Sequence, residues 1–304
     1  MPGIQKNSFL TGFIITFIGS ILFSTKAIIV KLAFAHTPVD ALTLLALRMF
    51  FAAPFYLLIA FFYSNRSANV RFTLRQWMYI IFLGLIGYYI SSLCDFIGLQ
   101  YVSAGLERLI LFLYPTFAIL LNAAIFRQRI NKLQAWALVL TYTGIGIAYA
   151  GELAVIHATS DFFYGSLFIF LCAVTFAIYL VGSGKLIPMV GATKFTSYAM
   201  LAAATGVLTH YSIAGVKAIP MNGTLIGYAV LLAIVATVIP TFFISNGLKK
   251  IGSNNVAIIS SIGPVSTILQ AHYILGEKLL AAQVAGTVLV ITGVLLTGWR
   301  GREV

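Results

Sequence analysis

Charged side chains are scarce in this chain: Asp, Glu, Lys and Arg together make up 9% of its 304 residues. A soluble globular domain carries about 25% charged residues, which cover its surface. With 61% hydrophobic residues, this chain has too few polar side chains to form a water-soluble fold. Lipid is the solvent that suits such a composition, so an integral membrane protein is predicted.

Cysteine and acidic residues are also rare. The two cysteines, Cys94 and Cys172, both lie inside apolar runs, which indicates small core residues rather than a disulfide or a metal site. Seven acidic residues oppose 19 Lys and Arg, for a net charge of +12. Because the basic residues gather in alternate connections between apolar runs, the surplus indicates membrane topology rather than nucleic-acid binding.

Motifs of soluble enzymes are absent from the sequence. The segment Gly182–Lys185 has part of a phosphate-binding loop, but Leu186 follows where Ser or Thr is needed and Tyr179 replaces the leading Gly. We therefore predict no catalytic residue, cofactor or metal site. Any pumping is expected to use an ion gradient or exchange.

Long apolar runs are what the chain has in abundance, each close to the roughly 20 residues that cross a bilayer as a helix. Their hydrophobicity is continuous rather than alternating, which favours helices over the strands of a membrane barrel. An all-α protein with ten transmembrane helices is predicted. The runs cover residues 9–34, 40–63, 76–98, 103–126, 132–150, 162–183, 192–213, 223–246, 253–275 and 279–298.

Basic residues occupy every second connection between these runs, whereas the connections in between are poor in them. The basic connections include Arg66, Arg71, Arg75, Arg127, Arg129, Lys132, Lys185, Lys194, Lys249 and Lys250. Cytoplasmic connections of membrane proteins carry such an excess of Lys and Arg. Both termini are therefore predicted to lie in the cytoplasm.

Two stretches of the chain repeat each other at a fixed offset of 149 residues. Tyr114–Ile145 aligns with Gly263–Val294 without a gap, and Pro115 falls on Pro264. An offset kept over this length indicates an internal duplication. Each copy contains two apolar runs joined by a short polar turn.

The duplication divides the ten predicted helices into two repeats, residues 1–150 and 151–304. Five helices is an odd number, so the second repeat must enter the membrane from the opposite side. Inverted repeats of this kind occur in many secondary transporters, which place the substrate site at the repeat interface.

The best-preserved block of the second copy contains Gly263-Pro264, Gly276-Glu277-Lys278 and Thr292-Gly293, and Leu47-Arg48-Met49 stands near the start of the chain. From Phe9 to Trp299, the chain resembles the EamA-type branch of the drug/metabolite transporter superfamily. The resemblance implies a ten-helix, exporter-like carrier in a bacterial inner membrane, and it leaves the substrate open. The first copy has Arg127-Gln128-Arg129 where the second has Gly-Glu-Lys, so Glu277 is expected to be a helix-end residue.

Ionisable residues inside apolar runs are candidates for the substrate site, because in lipid they are costly unless they face a cavity or a partner. Five of them are expected to converge from four helices of the first repeat. These residues are Lys26, Arg48, Asp95, Glu107 and Arg108.

Three cations against two carboxylates leave one positive charge, which favours a substrate with a carboxylate or phosphate. Lys26 can release its proton, as arginine cannot, and is the predicted site of coupling to protons. A structural reading stays open, with Arg48 paired permanently to Glu107 or Asp95. Glu107 and Arg108 are neighbours about 100° apart on a helix and are not expected to face the same cavity.

Uncharged residues complete the predicted site. Tyr89 and Tyr179 are candidates for stacking on a solute, and Asn246 and Ser260 for hydrogen bonding to it. Pro115 and Pro264 are predicted in the middle of their helices, where each removes a backbone hydrogen bond and produces a kink that serves as a hinge.

The sequence thus predicts a secondary transporter, an exporter of a small organic metabolite such as an amino acid or another carboxylate- or phosphate-bearing solute. Two alternatives stay open: an uptake carrier of the same fold, and a membrane enzyme acting on a lipid-linked or phosphorylated substrate. The expected partners are the solute, the lipid bilayer and coupled protons.

Overall fold

The computed structural model describes residues 2–64, 71–127, 132–156, 159–214, 221–260 and 262–299. The topology-bearing Arg66 and Arg129 lie outside these ranges. The described residues are helical, without strands. The helices are α1 (Pro2–His36), α2 (Ala41–Ser64), α3 (Leu74–Gly84), α4 (Ser91–Gly98), α5 (Ala104–Leu111), α6 (Tyr114–Phe126), α7 (Lys132–Ile156), α8 (Ser160–Val190), α9 (Ala192–Ile213), α10 (Gly223–Ala233), α11 (Ile239–Ser260), α12 (Ile262–Gln270) and α13 (Ala281–Trp299).

Seven helical stretches among the described residues are long and apolar enough to cross a membrane. They are Phe9–His36, Ala41–Phe62, Leu74–Gly98, Ala104–Ile125, Ala135–Val155, Ser160–Val190 and Gly223–Gly247. The other three predicted spans correspond to α9, to the region of α12, and to α13, whose apolar stretch Ala281–Gly293 is shorter. The chain is therefore a multi-pass helical membrane protein.

Three π-helical segments interrupt the helices, at Leu85–Ile90, Ile234–Val238 and Ala271–Leu275. The first two begin 149 residues apart, which is the offset of the sequence repeat. The helices before them, α3 and α10, are each 11 residues long and also begin 149 residues apart. The same backbone irregularity thus recurs at matching places along the chain.

The connection between the predicted runs 223–246 and 253–275 has helical backbone and lies inside α11. A methyl group placed on Gly247 would nevertheless lie 3.5 Å from Cγ2 of Val256. Nine residues of straight helix would separate these positions by about 13 Å. The chain therefore folds back within this stretch.

The helices pack in pairs, with α1 against α11 and α12, α2 against α9, α4 against α8, and α7 along α13. In the last pair, a methyl group on Gly144 would lie 2.6 Å from the carbonyl oxygen of Gly286. Glycine is needed where two helix backbones approach this closely, as is common in membrane helix pairs. This pair joins the predicted first repeat to the second.

Candidate functional site

A lysine and two carboxyl groups meet in the interior of the bundle. Lys26 Nζ of α1 lies 2.6 Å from Asp95 Oδ2 of α4 and 4.0 Å from Glu107 Oε1 of α5. The two carboxyl groups therefore lie next to one ammonium group and close to each other. Asp95 and Glu107 are fully buried and Lys26 is 7% exposed. Asp95 and Glu107, which follow Lys26 by 69 and 81 positions in the sequence, thus form one charge cluster with it.

Local sequence explains why α5 presents Glu107 inward. Ser103 begins the helix by accepting a hydrogen bond from the backbone N–H of Leu106 at 3.1 Å, which satisfies one of the free N–H groups of the first turn. All eight residues of α5 are buried. A fully buried helix has no solvent-facing side for its charged residues, so both Glu107 and Arg108 must find partners inside the protein.

Arg48 of α2 lies beside the cluster and contacts the second half of the chain. Its Nε donates a 2.9 Å hydrogen bond to Oγ1 of Thr237, and its guanidinium lies 5.5 Å from the ring centre of Phe96. Thr237 belongs to a π-helical segment and donates to the carbonyl of Leu232, five residues back, at 2.7 Å. The segment thereby turns a hydroxyl oxygen toward the arginine. Arg48 forms no ion pair among the described residues, so the predicted permanent pairing with Asp95 or Glu107 is absent there.

Arg108 points to different partners from those of Glu107, as the helix geometry predicts. Its Nη2 lies 3.3 Å from Ser24 Oγ of α1 and approaches Gly263 at the start of α12. A methyl group on Gly263 would lie 2.5 Å from that nitrogen. The guanidinium also lies 5.8 Å from the ring centre of Phe23, and Lys26 lies 5.9 Å from the same ring. Arg108 and Lys26 therefore flank one aromatic side chain.

Both arginines retain unused hydrogen-bond donors. In the described part of the chain, Arg48 Nη1 and Arg108 Nε are buried without a hydrogen-bond partner. A buried donor without a partner costs about 1–3 kcal/mol, and more for a charged group. Two such donors beside one charge cluster fit a site that is completed by an anionic solute.

The four uncharged site candidates have different surroundings. The Tyr179 hydroxyl lies 3.0 Å from that of Tyr88, near Arg48. Ser260 Oγ lies 3.0 Å from Ser20 Oγ, one turn of α1 before Ser24. The other two candidates are Tyr89 and Asn246. The Tyr89 hydroxyl contacts Nδ1 of His210 at 2.8 Å, and the Asn246 side chain is exposed. The structure thus brings Tyr179 and Ser260 toward the arginines and places Asn246 on the outside.

Pro115 lies at a break between helices, which corrects its expected mid-helix position. It is in the first turn of α6, two residues after the turn that ends α5. In a first helical turn the backbone N–H has no helical partner, so proline is tolerated there. Pro264 lies in α12, and residue 261 before this helix is outside the described part of the chain, so the mid-helix position of Pro264 stays a prediction.

A second polar cluster joins the two halves of the chain near the end of α1. The sequence predicts only part of this cluster. Glu277 accepts hydrogen bonds from the backbone N–H groups of Ala104 and Gly105, at 3.0 and 3.4 Å. Gln283 donates to Glu152 Oε2 at 2.6 Å. Glu277 is a helix-end residue, as expected, but the helix whose N-terminus it caps is α5 of the other half.

These residues line a cavity of about 190 Å³. Its lining residues are Ser103, Glu152, Val155, Glu277, Lys278, Leu280 and Gln283. The sequence offered one signal for this contact, since Glu277 and Gln283 both stand in the best-preserved block of the repeat. Glu152 has no such signal, because in the sequence it falls in the connection between the predicted runs 132–150 and 162–183.

Clusters of three or more His, Cys, Asp or Glu side chains that could hold a metal ion are not found among the described residues. Cys94 and Cys172 are buried and unbonded to each other.

Comparison with known proteins places this architecture in a family. The family model described as "EamA-like transporter family" matches residues 10–150 and 163–299. A similar protein is the "Uncharacterized transporter YcbK" of Bacillus subtilis, 31% identical over 291 residues, covering 93% of this chain and 92% of that protein. The "Uncharacterized transporter YyaM" of the same organism is 26% identical over 248 residues, covering 80% of this chain and 79% of the relative.

A solved structure described as "Crystal structure of protein" has a similar fold. Its TM-score is 0.67 at 18% sequence identity, with 96% of this chain and 98% of that chain covered. The likeness in fold extends over nearly the whole bundle, and the family match covers both halves of the sequence. The chain belongs to the EamA-like transporter family.

Proposed function

We propose that this protein is a secondary transporter that moves a small organic anion, bearing a carboxylate or phosphate, by alternating access between two inverted five-helix repeats. The repeats are residues 1–150 and 151–304, with ten transmembrane helices and both termini in the cytoplasm of a bacterial cell. The regular alternation of basic connections supports this topology. The matching α3 and α10, each followed by a π-helical segment, support the division into two repeats.

One observation carries the proposal: two buried arginines with unused donors reach across the interface of the proposed repeats. Arg48 contacts Thr237, and Arg108 contacts Gly263, so each bridges from the first repeat to the second. Arginine binds carboxylates and phosphates with paired N–H donors. A site at the interface of inverted repeats is where rocking of one half against the other exposes it to each side in turn.

Export, which the family resemblance implies, and uptake both use the same cycle, because a secondary carrier is reversible and the gradients set its direction. A membrane enzyme is less well supported, because its acid–base pair has to meet a lipid-linked substrate near the membrane surface. Asp95 and Glu107, the two carboxyl groups of the cluster, are both fully buried.

A thermal-shift screen of a metabolite library on the purified protein tests the proposal, since a ligand raises the stability of the state that it binds. Carboxylates and phosphates are expected to raise the Tm of the wild type. Arg48→Ala should weaken binding by about ten- to a hundredfold, because a charge-assisted hydrogen bond contributes about 1.5–3 kcal/mol. Arg48→Lys should rescue it in part, since a point charge lacks the planar fork.

The matched control is Arg75→Ala, which removes an exposed arginine that lies over the ring of Tyr79. This variant should bind like the wild type. Equal affinity in the Arg48→Ala and Arg75→Ala proteins, both folded, contradicts the assignment of Arg48 to the solute.

A further inference from the structure

The buried carboxyl groups of Asp95 and Glu107 are too close together for both to be ionised comfortably. Both lie within 4.0 Å of the same Lys26 ammonium group, and two carboxylates have no proton to place between them. Lys26 Nζ is 2.6 Å from Asp95 Oδ2 and forms an ion pair with it. Among the described residues, neither oxygen of Glu107 has a hydrogen-bond partner.

One shared proton removes the repulsion between the two carboxyl groups. Placed between Asp95 and Glu107, it gives one neutral carboxylic acid that donates to one carboxylate, and the remaining negative charge stays paired with Lys26. Like-charged carboxyl groups that share a site behave in this way, because the first charge opposes the second. The pair then has to be treated as one titrating unit.

The neighbouring groups agree with this assignment. Arg48 of α2 and Arg108 of α5 contribute positive charge near the pair, and their described hydrogen bonds go to Thr237 and Ser24. The Cys172 thiol of α8 lies 3.2 Å from Ser91 Oγ. Lys26 is already matched to the single negative charge that remains.

We propose that Asp95 and Glu107 together form a proton-binding site, which holds one exchangeable proton next to the solute site and is the seat of proton coupling. This inference rests on the proposed transport function and moves the coupling proton from Lys26 to the carboxyl pair. With the proton bound, the three cations and the pair carry a net charge of +2, and without it +1. An organic anion therefore binds more tightly to the protonated site, and by reciprocity its binding favours proton uptake.

The sign of this linkage has a consequence for transport. A proton and an anion that strengthen each other's binding cross the membrane in the same direction. An inward proton gradient therefore drives uptake of the anion, whereas an outward solute gradient drives export together with a proton.

Infrared spectroscopy of the full chain in lipid tests the site without any solute. The wild type at neutral pH should show the carbonyl-stretch band of a protonated carboxylic acid, and the band should disappear reversibly as the pH is raised. Asp95→Asn and Glu107→Gln should each remove the same band, because the single carboxylate left in either variant is ionised beside Lys26. Both changes preserve shape, so either folded variant suffices.

The control is Glu277→Gln, which replaces a carboxyl group that lies outside the pair and accepts hydrogen bonds from two backbone N–H groups, and it should leave the band unchanged. A wild-type spectrum without the band, a band that survives both substitutions, or one that does not titrate overturns the proposal. The proton result is independent of solute binding. Failure of the anion site would appear instead as normal affinity in Arg48→Ala.

Discussion

Individual charged residues of this bundle are held by partners from distant parts of the chain. Lys26 contacts carboxyl groups from two other helices, and Arg108 lies between Ser24 and Gly263. Such groups are expensive in a membrane, and removing one partner of a buried pair costs about 3–5 kcal/mol. Their retention in the interior is therefore better explained by function than by stability.

Gly263 offers a way to move Arg108 without changing its charge. Gly263→Ala places a methyl group against the guanidinium, which must leave its position beside Ser24. We expect the substitution to weaken anion binding about as much as Arg108→Ala, measured by ligand-induced change in Tm.

Gly184→Ala is the matched control, because a methyl group on Gly184 meets nothing within 4 Å. It should leave affinity unchanged and can stabilise the helix by up to about 1 kcal/mol. Wild-type affinity in Gly263→Ala would argue against a role of the Arg108 position in binding.

At this scale the sequence indicated which charged residues lie in the interior better than what they contact. An ionisable side chain inside an apolar run is visible from composition alone. The contact of Arg48 with Thr237 depends on a π-helical segment, and no sequence signal marks where a helix widens by one residue. The exposed position of Asn246 has a related reason: the sequence shows that the residue is polar, but not on which face of α11 it lies.

Among the elements, the interrupted span formed by α5 and α6 has the most direct relation to the site. The first half, α5, carries Glu107 and Arg108, and the break follows one turn later at residues 112 and 113. Broken helices line the binding sites of many secondary transporters, because only a cavity tolerates irregular backbone at that depth. Pro115 marks the restart of the helix in this span.

Pro115→Ala and Pro264→Ala are expected to leave folding intact, because alanine fits a helix and Pro115 lies in a first turn where it removes no helical hydrogen bond. Alanine makes a continuous helix easier to form and should slow turnover by favouring one facing state. Transport rates and Tm of both single variants and of the double variant measure this. Unchanged turnover in all three would return the prolines to a packing role.

The N-terminus of α5 is capped by Glu277 from the other half, and this cap has to break when the halves separate at that end. Glu277→Ala should cost about 0.5–2 kcal/mol, as other cap losses do. It should also favour opening of the adjacent cavity. A cysteine at the exposed, cavity-lining Val155 should then react faster with a water-soluble thiol reagent.

Thr73→Ala is the comparison, since it removes the cap of α3 outside this cavity. It should lower stability without changing the reactivity of Val155→Cys. Equal effects of both cap losses on that reactivity would mean that Glu277 stabilises the fold but does not hold the cavity closed.

On the scale of the whole molecule, the duplication explains why two halves of different composition adopt matching elements. The 149-residue offset could be read from the sequence, and α3 and α10 reproduce it. The charge cluster could not be inferred from the duplication, since its acidic and basic members come from the first half. Tertiary packing, which places α1 against α11 and α12, decides which second-half residues complete it.

The proposed topology predicts two classes of exposed position. Cysteines at Arg75 and Arg127 should react with an impermeant thiol reagent from the cytoplasmic side, and cysteines at Ser160 and Lys278 from the opposite side. All four side chains are exposed in the fold. Labelling of any of them from the wrong face in intact cells would overturn the ten-helix arrangement with cytoplasmic termini.

Solute counterflow in proteoliposomes tests the central claim most directly. Vesicles are loaded with an excess of an unlabelled carboxylate or phosphate identified by the thermal-shift screen, and entry of the labelled solute is followed without any ion gradient. A carrier working by alternating access should produce a transient accumulation of label inside, which Arg75→Ala retains and Arg48→Ala loses. Absence of counterflow for every stabilising solute, or full counterflow in Arg48→Ala, would contradict carrier-type transport through this cluster.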